Sequence, residues 1–228
     1  MDRGTVAGLV ELTRPANSVL AGGLTFVGAF VAGGVSDASV AVVTAVAATI
    51  AATGAGMAIN DYFDRDVDRI NNPERAIPRG AVSPRGALAF AVGLFLAAVA
   101  LAVTLPPIAI AIAGFNLAAL IAYTELFKGL PGVGNAVVAY LGGSTFIFGA
   151  AAAGSIGPAP VVLFLLAALS TLSREIIKDV EDAPGDREEG LRTLPIVVGN
   201  RRSLWLAAVL LAVAVVASPL PYVRGTLG

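Results

Sequence analysis

The sequence predicts an all-α bundle of transmembrane helices, and two observations support that fold class. Of the 228 residues, 57% are hydrophobic and only 14% are charged, whereas a soluble domain has about 25% charged residues. The apolar residues also fall into seven long runs, and a helix needs about 20 such residues to cross a bilayer. We therefore predict one transmembrane domain over residues 1–228, located in the cell membrane.

The seven predicted spans alternate with loops of very different charge. We place the spans at 17–34, 38–59, 86–105, 108–126, 133–153, 160–177 and 203–220. All Lys and Arg residues except Arg224 lie in or beside the segments before span one and after spans two, four and six, and the opposite loops have none. Because positive loops stay on the cytoplasmic side, the sequence predicts that the N-terminus and the charged loops are cytoplasmic.

Two acidic clusters follow the second and sixth spans, on the same predicted side of the membrane. In each, three Asp residues are spaced i, i+3 and i+7, which places them on one face of a helix. The clusters are Asp61, Asp64 and Asp68, and Asp179, Asp182 and Asp186. Because Pro184 and Gly185 disfavour helix, we expect Asp186 to approach from a loop. The recurrence after four spans suggests two pseudo-repeated four-helix units around a central cavity.

Stacked carboxylates of this kind are typical of a magnesium site. Two carboxylates one helical turn apart repel each other by roughly 3 kcal/mol at an effective dielectric near 20. Mg²⁺ prefers oxygen ligands and is commonly shared between carboxylates and substrate phosphates. We therefore predict that the six Asp residues bind Mg²⁺ and, through it, a diphosphate. The chain has no His and no Cys, which excludes thiol nucleophiles and most zinc chemistry.

Several other polar residues are candidates for substrate binding, each with a simpler alternative. The basic candidates are Arg75, Lys128, Arg174 and Lys178, since cations bind phosphate oxygens, although they also belong to the cytoplasmic charge signal. Lys128 is equally well explained as a snorkelling side chain at a helix end. Tyr123 either faces the cavity or anchors the interface. Asn17 is either a helix cap or a site group, and Asn60 precedes the first Asp cluster.

These motifs together resemble the UbiA-type intramembrane prenyltransferases. The run 60–68 followed by Arg75 to Pro78 resembles that family's first signature, and the second Asp cluster resembles its second signature. Tyr123 and Lys128, followed by Gly134 and Asn135, resemble its middle-loop motif, and 14–17 resembles its N-terminal motif. The resemblance covers residues from about 12 to 200.

The resemblance implies Mg²⁺-dependent transfer of a prenyl group from a prenyl diphosphate, with Asp61, Asp64, Asp68, Asp179 and Asp182 as catalytic metal ligands. The run 174–195 looks most like archaeal digeranylgeranylglyceryl phosphate synthases. That implies geranylgeranyl transfer to the hydroxyl of geranylgeranylglyceryl phosphate, forming the second ether bond of archaeal membrane lipids. Prenylation of an aromatic acceptor in quinone or related biosynthesis is the alternative. The family generally has nine spans, so this domain is expected to lack the last family helices.

Two rival functions make different predictions about the sequence. A transporter of phosphorylated lipids would place charges or broken helices near the middle of the bilayer, and the predicted spans contain almost none. A CDP-alcohol phosphotransferase would also use a DxxxD motif, but its DGxxAR element is absent because Tyr62 and Phe63 follow Asp61. We expect no nucleic acid and no obligate protein partner. Besides its substrates, we expect the protein to contact only membrane lipids.

Overall fold

The computed structural model describes residues 3–123, 130–188, 190–223 and 225, and within these all regular secondary structure is helical. The helices in chain order are α1 (Arg3–Leu12), α2 (Pro15–Val31), α3 (Ser39–Phe63), α4 (Arg65–Asn71), α5 (Pro84–Ala102), α6 (Pro107–Ala122), α7 (Val133–Ala152), α8 (Pro158–Glu188), α9 (Leu194–Val198), α10 (Asn200–Ala217) and α11 (Leu220–Val223).

Seven of these helices correspond to the seven predicted spans. Within the described residues, α3, α5, α7, α8 and the segment that begins with α10 are long and apolar enough to cross a membrane, while α2 and α6 are apolar but shorter. Large apolar side chains point outward, and Val40 and Val216 are 80% and 79% exposed. An apolar exterior of this extent is expected where lipid is the solvent. The all-α, multi-pass membrane architecture is therefore confirmed.

Proline positions mark several helix starts, as their chemistry predicts. α2, α5 and α6 each have Pro in the first turn, where the missing backbone N–H removes no helical hydrogen bond. Ser83 caps α5 because its hydroxyl oxygen accepts a hydrogen bond from the Gly86 N–H at 3.1 Å.

The expectation that Pro184 and Gly185 break the helix before Asp186 is wrong. α8 continues through Pro184 to Glu188, so Asp186 lies on the helix and not in a loop. Proline removes only one backbone hydrogen bond from the ladder. Ala183, next to it, is 3% exposed and holds this turn against the protein interior. The helical face of the second Asp cluster consequently extends unbroken from Asp179 to Asp186.

The two halves of the chain meet where α2 packs against α7 without intervening side chains. At Gly28 an added Cβ would overlap the Phe146 carbonyl oxygen, and at Gly149 it would overlap the Thr25 carbonyl oxygen. Such close approach of backbones is a feature of helix packing in membranes, where small residues form the contact. α3 packs beside α2 and α5 packs on α3, while α8 packs beside α7 and α10 packs on α8.

Hydrogen bonds between helices supplement this packing. The hydroxyl groups of Thr25 on α2 and Thr49 on α3 lie 2.9 Å apart. On the other side of the bundle, Ser173 on α8 donates to the Ala207 carbonyl oxygen of α10 at 2.8 Å. In hydrocarbon, such bonds satisfy polar groups that have no water available.

The contact between α2 and α7 predicts the effect of adding one methyl group. Gly149→Ala should destabilise the folded protein by about 1–3 kcal/mol, because the two backbones must separate to admit the Cβ. The measurement is the midpoint of thermal unfolding in detergent. Gly93→Ala is the matched control, since no heavy atom lies within 4 Å of a Cβ built there. Equal unfolding midpoints for both variants would contradict the prediction.

Candidate active site

The first Asp cluster lies where α3 passes into α4. Asp61 is in the last turn of α3 and Asp68 is in α4, and their exposed fractions are 7% and 4%. Asp64 is the residue between the two helices. The i to i−4 backbone bonds continue across it, since Asp64 N donates to the Asn60 carbonyl and Asp68 N to the Asp64 carbonyl at 2.9 and 2.8 Å. The predicted common face therefore persists through the junction.

Two arginines neutralise the buried carboxylates of this cluster. Arg14 Nη2 lies 2.8 Å from Asp61 Oδ1. Arg75 Nη1 lies 2.6 Å from Asp68 Oδ2 and 3.5 Å from Asp61 Oδ1, so it bridges the two acids. Asn72 Nδ2 donates to the second oxygen of Asp68 at 3.0 Å. Buried charges need such partners, and here the partners come from two segments of the chain, Arg14 before α2 and the turn from Asn72 to Arg75.

Arg14 adopts a backbone conformation that arginine rarely occupies. Its φ of 43° is positive, which occurs at no other non-glycine residue in the described part of the chain. A conformation of this kind costs on the order of 1–3 kcal/mol and is concentrated at functional sites. Sequence reasoning quoted Arg14 within the N-terminal motif but did not select it as a site residue. The available signal was an Arg-Pro pair at the start of a span, because the residue before Pro is excluded from the α region.

The second Asp cluster lies in the C-terminal part of α8. Asn135, in the first turn of α7, donates from Nδ2 to Asp179 Oδ2 at 2.8 Å. Lys178 Nζ lies 3.1 Å from Asp182 Oδ2. Asp182 and Asp186 are both close enough to Asp179 to repel its carboxylate. The sequence identified Asn135 as part of the middle-loop motif, but no sequence pattern indicated that its amide pairs with Asp179.

Tyr123 connects the two clusters. It follows the last residue of α6 and is half-buried. The charged groups of Lys178, Glu175, Asp179 and Asp64 all act electrostatically on its hydroxyl. Tyr123 therefore lies within electrostatic range of both the first cluster, through Asp64, and the second, through Asp179. These parts of the two motifs therefore lie near one another on either side of Tyr123.

The remaining predicted site residues take different positions. Arg174 pairs with Glu175 at 2.8 Å and, with Lys178, lines an open cleft of about 350 Å³ on the side of α8 that faces Leu211 of α10. Asn17 on α2 and Asn60 on α3 are exposed. Lys128 lies outside the described residues. The structure thus places Arg75, Tyr123 and Lys178 beside the Asp clusters, and Arg174 one turn before Lys178 in the cleft that both line.

The donor atoms of the two clusters suit magnesium, but the described side chains are not arranged around a cation. All candidate ligands are carboxylate oxygens, which Mg²⁺ prefers. Within the described residues, no three acidic side chains converge on one point as metal ligands would. In the first cluster, Asp61 and Asp68 instead hold the arginines. A metal would bind here only after these guanidinium groups move away from the carboxylates.

Comparison with known proteins identifies the family. A sequence model described as the UbiA prenyltransferase family matches residues 21–228. The chain belongs to this family. It is therefore a membrane prenyltransferase, which confirms the predicted enzyme class and removes the transporter and the phosphotransferase as alternatives.

Similar proteins narrow the comparison within the UbiA family. The chain is 66% identical over 223 residues to the digeranylgeranylglyceryl phosphate synthase of Natronomonas pharaonis, covering 98% of this chain and 80% of that protein. It is 63% identical over 224 residues to the enzyme of the same name from Halobacterium salinarum, covering 98% and 81%.

Solved structures agree with the fold. A structure of digeranylgeranylglyceryl phosphate synthase has a TM-score of 0.82 at 33% identity and covers 98% of this chain and 80% of that one. A UbiA homologue from Archaeoglobus fulgidus, solved with GPP and Mg²⁺, has a TM-score of 0.69 at 21% identity and covers 92% and 75%. The second likeness shows the fold alone.

The bridging position of Arg75 predicts a loss of stability that metal can offset. Arg75→Gln should lower the thermal midpoint by the equivalent of at least about 1 kcal/mol in EDTA, because two buried carboxylates lose their shared cation. Added Mg²⁺ should bring the midpoint of Arg75→Gln closer to that of wild type, because the metal can neutralise the same carboxylates. The control is Arg69→Gln, whose partner Asp66 lies 3.1 Å away with 65% of its side chain exposed, so its loss should have little effect. Equal losses in both variants would count against the bridging role.

The ion pair between Glu11 on α1 and Arg79 predicts a pH dependence. Arg79 Nη1 and Nη2 donate to the two oxygens of Glu11 at 2.9 and 2.7 Å, and these bonds hold the pKa of Glu11 below its ordinary value. The stabilisation is therefore complete above the ordinary Glu pKa of about 4.3 and is lost as the pH falls through the lowered value.

Glu11→Gln should accordingly lower the unfolding midpoint more at pH 7 than at pH 3. Because both side chains are partly exposed, we expect a difference of about 0.2–1 kcal/mol. Thermal unfolding of both proteins in detergent across this pH range measures it. A gap between wild type and Glu11→Gln that is as large at pH 3 as at pH 7 would show that the ion pair is not its cause.

Proposed function

We propose that this prenyltransferase transfers a geranylgeranyl group from geranylgeranyl diphosphate to the free hydroxyl of geranylgeranylglyceryl phosphate. The observation that supports the proposal is the position of Tyr123, which lies within electrostatic range of Asp64 in the first Asp motif and Asp179 in the second. The acceptor is supported by the relatives of 62% to 66% identity, which are named digeranylgeranylglyceryl phosphate synthase. The archaeal homologue solved with GPP and Mg²⁺ shares the fold and is consistent with a prenyl diphosphate donor.

Magnesium is part of this proposal. Asp61, Asp64 and Asp68 from one motif and Asp179, Asp182 and Asp186 from the other would hold it. Bound there, Mg²⁺ would neutralise the diphosphate and so favour its departure. For Asp61 and Asp68, binding requires release of Arg14 and Arg75, which the same diphosphate can then accept as partners.

In the proposed reaction, residues of the protein stabilise the departing diphosphate and keep water away from the prenyl group. Arg75 and Lys178, with Lys128 from the middle-loop motif, supply positive charge toward the diphosphate as the prenyl C–O bond breaks. The bond electrons leave with the diphosphate, the acceptor oxygen forms the new ether bond, and its proton is released. Tyr123 and the apolar helix faces below it exclude water from the allylic cation.

The remaining assignments follow from position. We propose that Asn60 and Asn17 orient substrate oxygens, and that Arg174 and Asp186 bind substrate at the margin of the site. The site faces the cytoplasm, because the Lys and Arg residues of the chain gather at that end of the helices. One domain carries all of these groups.

A transfer assay with matched acidic variants tests this function. Purified protein in detergent receives labelled geranylgeranyl diphosphate, Mg²⁺ and geranylgeranylglyceryl phosphate. We expect an ether product that EDTA abolishes and that Asp64→Asn reduces at least about 100-fold, because the carboxylate's charge is needed at the diphosphate. Asp66→Asn is the control, since Asp66 is exposed and pairs with Arg69 away from the common face.

Each other outcome has a distinct meaning. Product formed only with an aromatic acceptor would preserve prenyl transfer and overturn the lipid acceptor. Equal activity of Asp64→Asn and Asp66→Asn would overturn the assigned site. An active enzyme in EDTA would remove magnesium from the proposal.

A further inference from the structure

One amide in the membrane-spanning part of the bundle has an acceptor atom without a partner. Among the described residues, only Asn116 Oδ1 and Thr193 Oγ1 are buried side-chain polar atoms that lack a hydrogen bond. Thr193 precedes the short helix α9, whereas Asn116 lies inside the apolar helix α6. A carbonyl oxygen left unpaired in an apolar environment costs about 1–3 kcal/mol, so a group that donates to it is expected.

The orientation of this amide is fixed by its neighbour. Asn116 Nδ2 donates to Ser144 Oγ on α7 at 3.0 Å. Ser144, which is 2% exposed, donates its own proton to the Leu141 carbonyl oxygen at 2.8 Å. Since a hydroxyl has only one proton to donate, Ser144 accepts from the amide nitrogen and cannot serve its oxygen. The amide is therefore held with Oδ1 turned away from Ser144 and available to another donor.

Asn116 also lies on the face of α6 that leads to the Asp clusters. It follows Ala109, Ile112 and Ala113, which form an apolar cluster with Ala45 and Phe148. Seven residues further along the same face is Tyr123, about 10 Å higher at 1.5 Å per residue. Because helical side chains lean toward the N-terminus, Tyr123 is directed back toward Asn116. On α6, the amide is thus the only polar side chain between the apolar cluster and Tyr123.

We infer that Asn116 Oδ1 accepts a hydrogen bond from the hydroxyl of the acceptor substrate. The inference rests on the proposed function, in which one substrate is an alcohol. A prenyl diphosphate has no hydroxyl on its hydrocarbon chain and carries only ionised phosphate oxygens, so it offers no donor at this depth. The alcohol does, and a fixed amide oxygen selects a substrate that donates over one of the same shape that does not. Asn116 is in this sense a specificity-determining residue.

The test compares an alcohol with its methyl ether. Binding of geranylgeranylglyceryl phosphate and of its O-methyl derivative, which has no proton to donate, is measured by calorimetry in detergent without the prenyl donor. Wild type should bind the alcohol about tenfold more tightly. Asn116→Leu should bind the two ligands with equal affinity. Phe115→Leu is the control, because it loosens the same helix pair by removing the ring contact with Tyr140 at 5.4 Å while keeping the amide.

The outcomes separate the inference from the proposed function. Equal affinity of wild type for alcohol and ether overturns the inference without any variant. Retention of the alcohol preference by Asn116→Leu, or its loss in Phe115→Leu as well, also overturns it, because the hydrogen bond from Asn116 to Ser144 would then serve only to join α6 and α7. Failure of wild type to form any prenylated product would overturn the proposed function, and the binding comparison would remain readable.

Discussion

The direct contact between the backbones of α2 and α7 is the constraint on which the site depends. Gly28 and Gly149 allow it because neither has a Cβ. Each of the two helices begins beside one Asp motif. Arg14, immediately before α2, holds Asp61 of the first motif, and Asn135, in the first turn of α7, holds Asp179 of the second. Fixing α2 against α7 therefore fixes the two motifs relative to each other, although neither helix carries one of the six Asp residues.

The two motifs differ in how their charge is balanced. The buried carboxylates of the first share two guanidinium groups, whereas in the second the partners are the amide of Asn135 and the single ammonium group of Lys178. A cation entering the first motif must compete with arginines that occupy it, and one entering the second meets less resistance. Because guanidinium groups also bind phosphate, the arginines displaced from carboxylates have an immediate use beside a diphosphate. Under the proposed function, the same charges would stabilise the protein before substrate arrives and bind the substrate afterwards.

Much of this arrangement could be predicted because it depends on local patterns in the amino-acid sequence. Hydrophobic length located seven apolar helices, and the i, i+3, i+7 spacing placed each set of Asp residues on one face. Contacts between distant residues could not be read in this way. The pairing of Arg14 with Asp61 joins residues 47 positions apart and requires a positive φ at arginine, and the pairing of Asn135 with Asp179 joins residues 44 apart. At Pro184 a local pattern gave the wrong prediction. Proline favours a helix end, but packing of the turn around Ala183 outweighs that preference and the helix continues.

The hydrogen bonds made by polar groups inside the bundle distinguish groups that only join helices from one that has an atom to spare. One of the Thr25 and Thr49 hydroxyls donates to the other, and the second donates to a carbonyl oxygen one turn earlier on its own helix. Ser173 donates across to α10. In each case the bonds available to the group are used within the protein, as expected of a group whose role is to join helices. Asn116 also joins two helices through its nitrogen, but its oxygen is left over. A residue that only linked α6 to α7 could be a serine or threonine at lower cost, so the additional oxygen is better explained by a ligand than by the fold.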